Sequence, residues 1–301
     1  MANVKTFVKH PKIDAHNHLN LGMRYSRYAS WAGFLIPNFP RKMSGLAEMH
    51  EVIGQYTRTR TVTAKDVEDL LCMSIEDAIE DGITILEGSV DIGFVKHCNE
   101  DIDQFLALVE KVKKKYEGKI DFRPELGLGK LFDKKSLNKW VIPLLESKVF
   151  KSIDLYGPEV EEGIEDFKPF FECAGKLGIK RKAHVGEFSD ATSVRTFINF
   201  FDLEEVQHGI GAANDDKVIQ FMLDRKIRLN ITPESNVMLS AVPSLQDHPI
   251  KKFYDAGLKV TICTDDLLFF NRTVSEQCSD LVKAGVFTEK EIFDILDEGL
   301  K

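Results

Sequence analysis

The sequence predicts a (β/α)8 TIM barrel with an insertion after the first strand, and three observations predict it. Short apolar, β-branched runs that end in polar or glycine residues recur eight times along the chain. Between them lie segments with apolar residues at three- and four-residue spacing, the mark of amphipathic helices. The first run ends in His-Asn-His and not in the glycine-rich turn that opens a doubly wound sheet. The doubly wound open sheet is the alternative on periodicity alone.

Strand one is expected over Ile13–Leu19. The long stretch 22–61 follows, with Trp31, Phe34, Leu35, Ile36, Phe39 and two prolines. In a barrel it would lie over the C-terminal face, as a lid or substrate wall, or form a surface insertion with its own small core. A helical pattern from Val67 to Ile79 leads to strand two, Ile83–Val90, and another from Ile102 to Val112 leads to strand three, Ile120–Leu126. Strand four is expected over Phe150–Tyr156, a helix from Phe167 to Leu177, strand five over Arg181–Gly186 and strand six over Glu205–Ile210. A helix from Val218 to Leu223, strand seven over Ile227–Thr232 and strand eight over Leu258–Thr264 complete the set. No Pro/Gly/Ser-rich linker or composition break divides the chain, so residues 1–301 are expected to form one domain.

Composition narrows the function classes. The net charge is −8, and the longest basic run is Lys113-Lys114-Lys115, in a helical pattern where it reads as a solvated face. Nucleic acid or an anionic membrane as the main partner would need clustered positive charge, so a small-molecule partner is expected. The five cysteines are scattered without a C-x-x-C pair, which argues against a disulfide framework or a zinc ribbon. The N-terminus lacks the apolar core of a signal peptide, and no stretch reaches the roughly 20 apolar residues of a membrane span, so a cytoplasmic location is expected.

Four of the eight histidines, His10, His50, His97 and His248, carry no pattern and read as solvated or capping residues. The others fall at strand ends. His16 and His18 end strand one two residues apart, hence on one face. His184 ends strand five, His208 ends strand six, and strand eight runs into Thr264-Asp265-Asp266. Strand ends converge at the catalytic face of a barrel, so these residues are expected to meet there. Imidazole with carboxylate suits zinc, which lowers the pKa of a bound water to roughly 7. Cys263, two residues before Asp265, reads as a packed core thiol. Phe269 and Phe270 read either as a platform for a flat ring or as contacts to the insertion.

His16-Asn17-His18, His184-Val185-Gly186-Glu187, His208-Gly209 and Thr264-Asp265-Asp266 resemble, in order and spacing, the motifs of the metal-dependent amidohydrolases, in particular the adenosine deaminase branch. Asp154-Leu155-Tyr156-Gly157-Pro158-Glu159 resembles that branch's Asp-Leu-x-Gly-x-Glu turn, and Thr232-Pro233-Glu234-Ser235-Asn236-Val237 its Cys-Pro-x-Ser-Asn segment. His248-Pro249 followed by Asp255-Ala256-Gly257 is similar to it as well.

The resemblance implies that His16, His18, His184 and Asp265 bind one zinc ion per chain. It implies that Glu187 protonates a ring nitrogen, that His208 positions and helps deprotonate the water, and that Asp266 holds the hydroxide or accepts from the purine. The hydroxide formed on the metal would attack the amine-bearing ring carbon of adenosine or a related aminopurine and release ammonia. The Gly157 N–H would reach a ring nitrogen. His18, Asn20 and Asp266 complete the implied substrate contacts. Two-metal amidohydrolases carry a bridging carboxylated lysine or a glutamate near the end of strand four. Here that region is Ile153-Asp154-Leu155, with Lys151 at the strand's beginning, so one metal is implied. Asp154 reads as a turn-stabilising carboxylate. The usual His-Leu-Asp-Gly is His18-Leu19-Asn20-Leu21-Gly22 here, so an amide stands where an acid would meet ribose. Hydrolysis of another amino-heterocycle, or of a cyclic amide or lactone, stays open as the alternative.

Overall fold

The computed structural model describes residues 3–33, 39, 42–57 and 60–301. Eight parallel strands pair in chain order: β1 (Lys12–His18), β2 (Ile83–Asp91), β3 (Asp121–Gly129), β4 (Ser152–Tyr156), β5 (Lys180–Val185), β6 (Glu205–His208), β7 (Arg228–Ile231) and β8 (Lys259–Ile262). The ring is nearly closed where Asp265, just beyond β8, meets β1. Its N–H donates to the His16 carbonyl at 2.8 Å, and its carbonyl accepts from the His18 N–H at 3.3 Å. The sheet is therefore the expected barrel and not an open, doubly wound one.

Local sequence explains the outer helices. Ala64–Glu80 starts at a capping box in which Thr63 and Asp66 satisfy each other's backbone donors, and it buries Val67, Leu70, Leu71 and Ile75. Ile102–Lys115 starts at Asp101, whose side chain accepts from the Asp103 and Gln104 N–H groups. Its buried residues Phe105, Leu108, Val109 and Val112 keep helical spacing, and Lys113–Lys115 fall in the last turn, where the helix dipole favours positive charge. Replacing Asp101 by Ala would remove that cap, at about 1 kcal/mol.

Inside the barrel, strand residues two apart share a face, so the side chains form layers. The floor layer is charged. The fully buried Lys182 of β5 lies 2.7 Å from Glu87 of β2, 2.8 Å from Glu125 of β3 and 3.6 Å from Glu205 of β6, and it donates to the Ala15 carbonyl at 3.2 Å. Arg228 of β7 reaches Glu87 at 2.9 Å and Glu205 at 2.8 Å. Burial alone would raise the Glu87 carboxyl, but Lys182, Arg228 and Lys180 together hold it well below the ordinary glutamate value. Two residues above Lys182 on the same strand stands His184, the start of the mouth layer.

Two sequence expectations change. The stretch 22–61 was expected to precede the first helix, yet it contains helices Tyr25–Ala32 and Leu46–Tyr56; Phe34, Leu35 and Ile36 lie outside the described residues. The expected sixth strand continued to Ile210, but it ends at His208. That residue takes a φ of +65°, which leaves the extended region, and Ile210–Asn214 forms a short 3-10 helix. Cys263 is fully buried against Ile13 and Ala15, as a packed thiol would be. Phe269 packs on Phe39 with ring centroids 4.1 Å apart, which makes it a contact to the insertion. Among the described residues, no helix is long and apolar enough to cross a membrane.

Candidate active site

The strand-end residues meet. His18, His184, Glu187, His208, Asp265 and Asp266 line one cavity of about 410 Å³, and Asn20 and Gly157 open onto the same space. His16 lies at its base, 1% exposed. His16 Nε2 and His18 Nε2 are each 3.6 Å from Asp265 Oδ1, and His18 Nε2 is 3.2 Å from His184 Nε2. Ligand atoms of His16, His18 and His184, and those of His16, His208 and Asp265, lie close enough together to share an ion.

Second partners fix two of the rings. A carbonyl can only accept, so His16 Nδ1 donates to Asn230 O at 3.2 Å, and its Nε2, left with a lone pair, has no partner. His184 Nδ1 donates to Oδ1 of the fully buried Asp154 at 3.3 Å, with Oδ2 3.0 Å away, so its Nε2 faces His18. Two imidazole nitrogens this close, with an orphaned third beside them and a carboxylate opposite, form a donor set that fits a divalent cation. Asp154 thus holds the His184 ring and is not the expected turn-stabilising carboxylate. The reason is register: Ser152, Asp154 and Tyr156 share the inward face of β4.

The acids are held toward their neutral forms. Burial first, then the Asp265 and Glu159 charges, push Glu187 well above the usual carboxyl range; burial and Asp265 do the same to Asp266. Burial lowers His16 and His208 well below the ordinary imidazole value, and His18 to about 3. For His184, burial opposes the charge, but Asp154 outweighs it and moves the ring up.

Backbone strain and capping position the chemistry. His208 and Asp265 both sit in the left-handed region, at φ +65° and +61°, an arrangement that costs of order 1 kcal/mol or more apiece and persists where function demands it. Glu159 accepts from the N–H groups of Gly186 (2.7 Å), Glu187 (2.8 Å), Phe188 (3.3 Å) and Ser189 (2.9 Å), so one carboxylate pins the whole loop that presents Glu187. Asp14, raised by burial to about 6, accepts from the Thr264 N–H at 3.2 Å and anchors the turn before Asp265. The Tyr156 hydroxyl donates to Asp91, and its ring lies edge-on to His18. That ring needs Gly127, where a Cβ would fall 2.9 Å from it.

Three histidines set aside in the sequence take different places. His50 and His97 line the cavity. His248 caps as expected, accepting the Ile250 N–H at 3.1 Å, but it is buried and also bonds Asn236. Asn236 donates to Glu187 Oε1 at 2.6 Å and lies 3.1 Å from His208 Nδ1. Asn236 and His248 both stood in motifs noted above, but no spacing in the sequence shows that they meet.

The adenosine deaminase family pattern matches residues 11–301. The chain belongs to the adenosine deaminase family. A relative from Treponema pallidum named putative adenosine/adenine deaminase is 52% identical over 289 residues, covering 96% of this chain and 97% of its own. An adenosine deaminase of Vibrio vulnificus is 29% identical, covering 95% and 91%. The adenine deaminase crystal structure from Arthrobacter aurescens superposes with a TM-score of 0.83 at 20% identity, covering 96% of this chain and 92% of that one, which shows the shared barrel. Members of this family are deaminating hydrolases, and the strand-end motifs place this chain among them.

Proposed function

We propose that the protein hydrolytically deaminates adenosine or a related aminopurine at a centre holding one zinc ion. The observation that carries the reading is Glu187, a carboxyl that burial pushes toward its protonated form, beside a cluster of imidazoles and carboxylates fit for a cation. His16, His18, His184 and Asp265 would hold the ion, with Asp154 and the Asn230 carbonyl orienting two of the rings. When bound, it supplies positive charge that makes hydroxide available from water near neutral pH.

The chain's own residues then divide the work. Glu187 gives its proton to the ring nitrogen beside the amine-bearing carbon, which draws electrons from that carbon. Asp266, whose Oδ1 has no hydrogen-bond partner in the protein, faces the same cavity; with the Asp265 charge that raises it offset by the cation, its carboxylate accepts a proton from the attacking water. The water oxygen forms its bond to the carbon, Asp266 passes the proton it took to the amino nitrogen, the carbon–nitrogen bond breaks to release ammonia, and the hydroxyl proton left on the product returns to Glu187 as the ring carbonyl forms. Gly157, at φ +112°, offers its N–H with no side chain to bar approach, and Asn20 offers an amide. Tyr28, Leu46, Met49, His50 and Ile53 of the insertion line the cavity, which supports its reading as a substrate wall.

The test is ammonia release by zinc-loaded protein from adenine, adenosine, AMP and other amino-heterocycles, with cyclic amides and lactones alongside. Release from at least one aminopurine is expected. Turnover of only an amide or lactone would move the protein to the alternative chemistry.

A further inference from the structure

We infer that His248, acting through Asn236, sets where the protons of Glu187 and His208 sit, and so makes His208 a hydrogen-bond donor to the reacting oxygen instead of its base. The inference deepens the deaminase reading and rests on it for its kinetic consequence; the proton positions themselves do not.

A backbone N–H only donates, so the Ile250 N–H at 3.1 Å requires a lone pair on His248 Nδ1. Burial lowers the His248 imidazole to about 3, so the ring is neutral and its single proton is on Nε2. That proton is donated to Asn236 Oδ1 at 3.1 Å. The amide orientation is thereby fixed, and both Nδ2 protons point the other way.

One of them is donated to Glu187 Oε1 at 2.6 Å. Because Oε1 accepts that bond, the proton of the neutral carboxyl has its place on Oε2. The second faces His208 Nδ1 at 3.1 Å, so that nitrogen carries the lone pair; the Thr232 hydroxyl lies 3.0 Å from it. His208 Nε2, the nitrogen turned toward the site and 3.6 Å from Glu187 Oε2, then carries the ring proton. In that tautomer it can donate to an oxygen developing negative charge, but it has no lone pair to remove a proton from water. The Asp266 carboxylate is left as the base.

Asn236 is fully buried and His248 is 4% exposed, and neither lines the cavity, so both act as positioning residues. Their chain positions explain why: Asn236 stands in the short helix Pro233–Met238 after β7, and His248 just before helix Ile250–Asp255, 12 residues on.

The test reads the proton directly. Long-range ¹H–¹⁵N spectra of histidine-labelled, zinc-loaded protein assign the tautomer of each neutral ring. Nε2–H is expected for both His248 and His208; a native His208 carrying Nδ1–H overturns the inference whatever the activity. His248→Leu lets the amide turn, so kcat should fall roughly 10- to 100-fold with KM within about twofold and with zinc content unchanged. His248→Gln, which can still donate to Asn236 Oδ1, should recover most of kcat. Unchanged kcat in a folded His248→Leu protein, or equal loss in the Gln variant, overturns the relay. Should the Leu variant not fold, the native spectrum and the Gln variant still decide. A correct tautomer in a protein that releases no ammonia from any aminopurine would contradict the deaminase reading alone.

Discussion

At the floor of the barrel three buried carboxylates, Glu87, Glu125 and Glu205, share Lys182, with Arg228 and Lys180 beside them. At the mouth, Glu187, Asp265 and Asp266 are buried too, yet among the described residues their ion pairs are with imidazoles alone, on Asp265 and Glu187, and no lysine or arginine reaches them. Both layers ride on the same strands. At the floor, lysine and arginine hold Glu87 and Glu205 ionised, below their ordinary values. At the mouth, burial and mutual repulsion drive the acids up and most of the imidazoles down, toward neutrality. The floor brings its own positive charge, and only Glu125, reached by Lys182 and not by Arg228, is raised by burial, to about 7. The mouth spends stability on polar groups that a cation and a substrate would satisfy, and that asymmetry separates a structural charge cluster from a site.

The largest expected effect of breaking this division is kinetic. Glu187→Gln keeps shape and neutrality but cannot release the proton, so turnover should fall roughly 10²- to 10⁴-fold in an ammonia assay while the metal content stays the same. Undiminished turnover would show that the raised acid is not the proton donor.

The floor should fail through stability instead. Lys182→Met leaves buried carboxylates short of a partner, and denaturant unfolding should show a loss of roughly 3–5 kcal/mol. The matching change at the mouth, Asp266→Asn, should leave the unfolding of metal-free protein unchanged or improved, because it removes a carboxyl that burial disfavours. Strong destabilisation by both variants would erase the contrast.

Between the layers stands Asp154. Asp154→Asn should weaken metal binding roughly 10- to 100-fold in a competition titration, through His184, with little change in the unfolding of the metal-free protein.

Acid response gives the smallest effect. The folded-state values of Glu87 and Glu205 are lowered, so their stabilisation is complete above the ordinary glutamate value of about 4.3 and is lost as pH falls through the lowered values. Glu187 and Asp266 are raised, so their contribution is complete at low pH and lost as pH rises through their folded values. Zinc-loaded activity should accordingly decline on the alkaline side as Glu187 ionises, while stability declines on the acid side. A single common pH profile for both would contradict the assignment.

The barrel and its ligand set were legible because strand-end histidines and acids leave a local trace: an apolar run, then His-x-His or Asp-Asp. Single residues whose partners lie far along the chain were not. Lys182 reads as a charge inside a strand until Glu87, 95 positions away, meets it in the floor. Asp154 and His184 are 30 positions apart, and only the inward register of β4 pairs them. His248 looked like a capping residue beside a proline and is one. Its second bond, to Asn236, depends on how two loops pack. The helices in 22–61 were hidden because Gly45, at the start of the second, gives no side-chain capping signal.

The central claim, that the mouth is completed by one cation and then deaminates an aminopurine, is tested most directly by one titration. Zinc is added stepwise to metal-free protein while ammonia release from the best substrate of the panel is followed. Activity rising linearly to a plateau at one equivalent per chain is the predicted result. Full activity without zinc, or a plateau only at two equivalents, would contradict it.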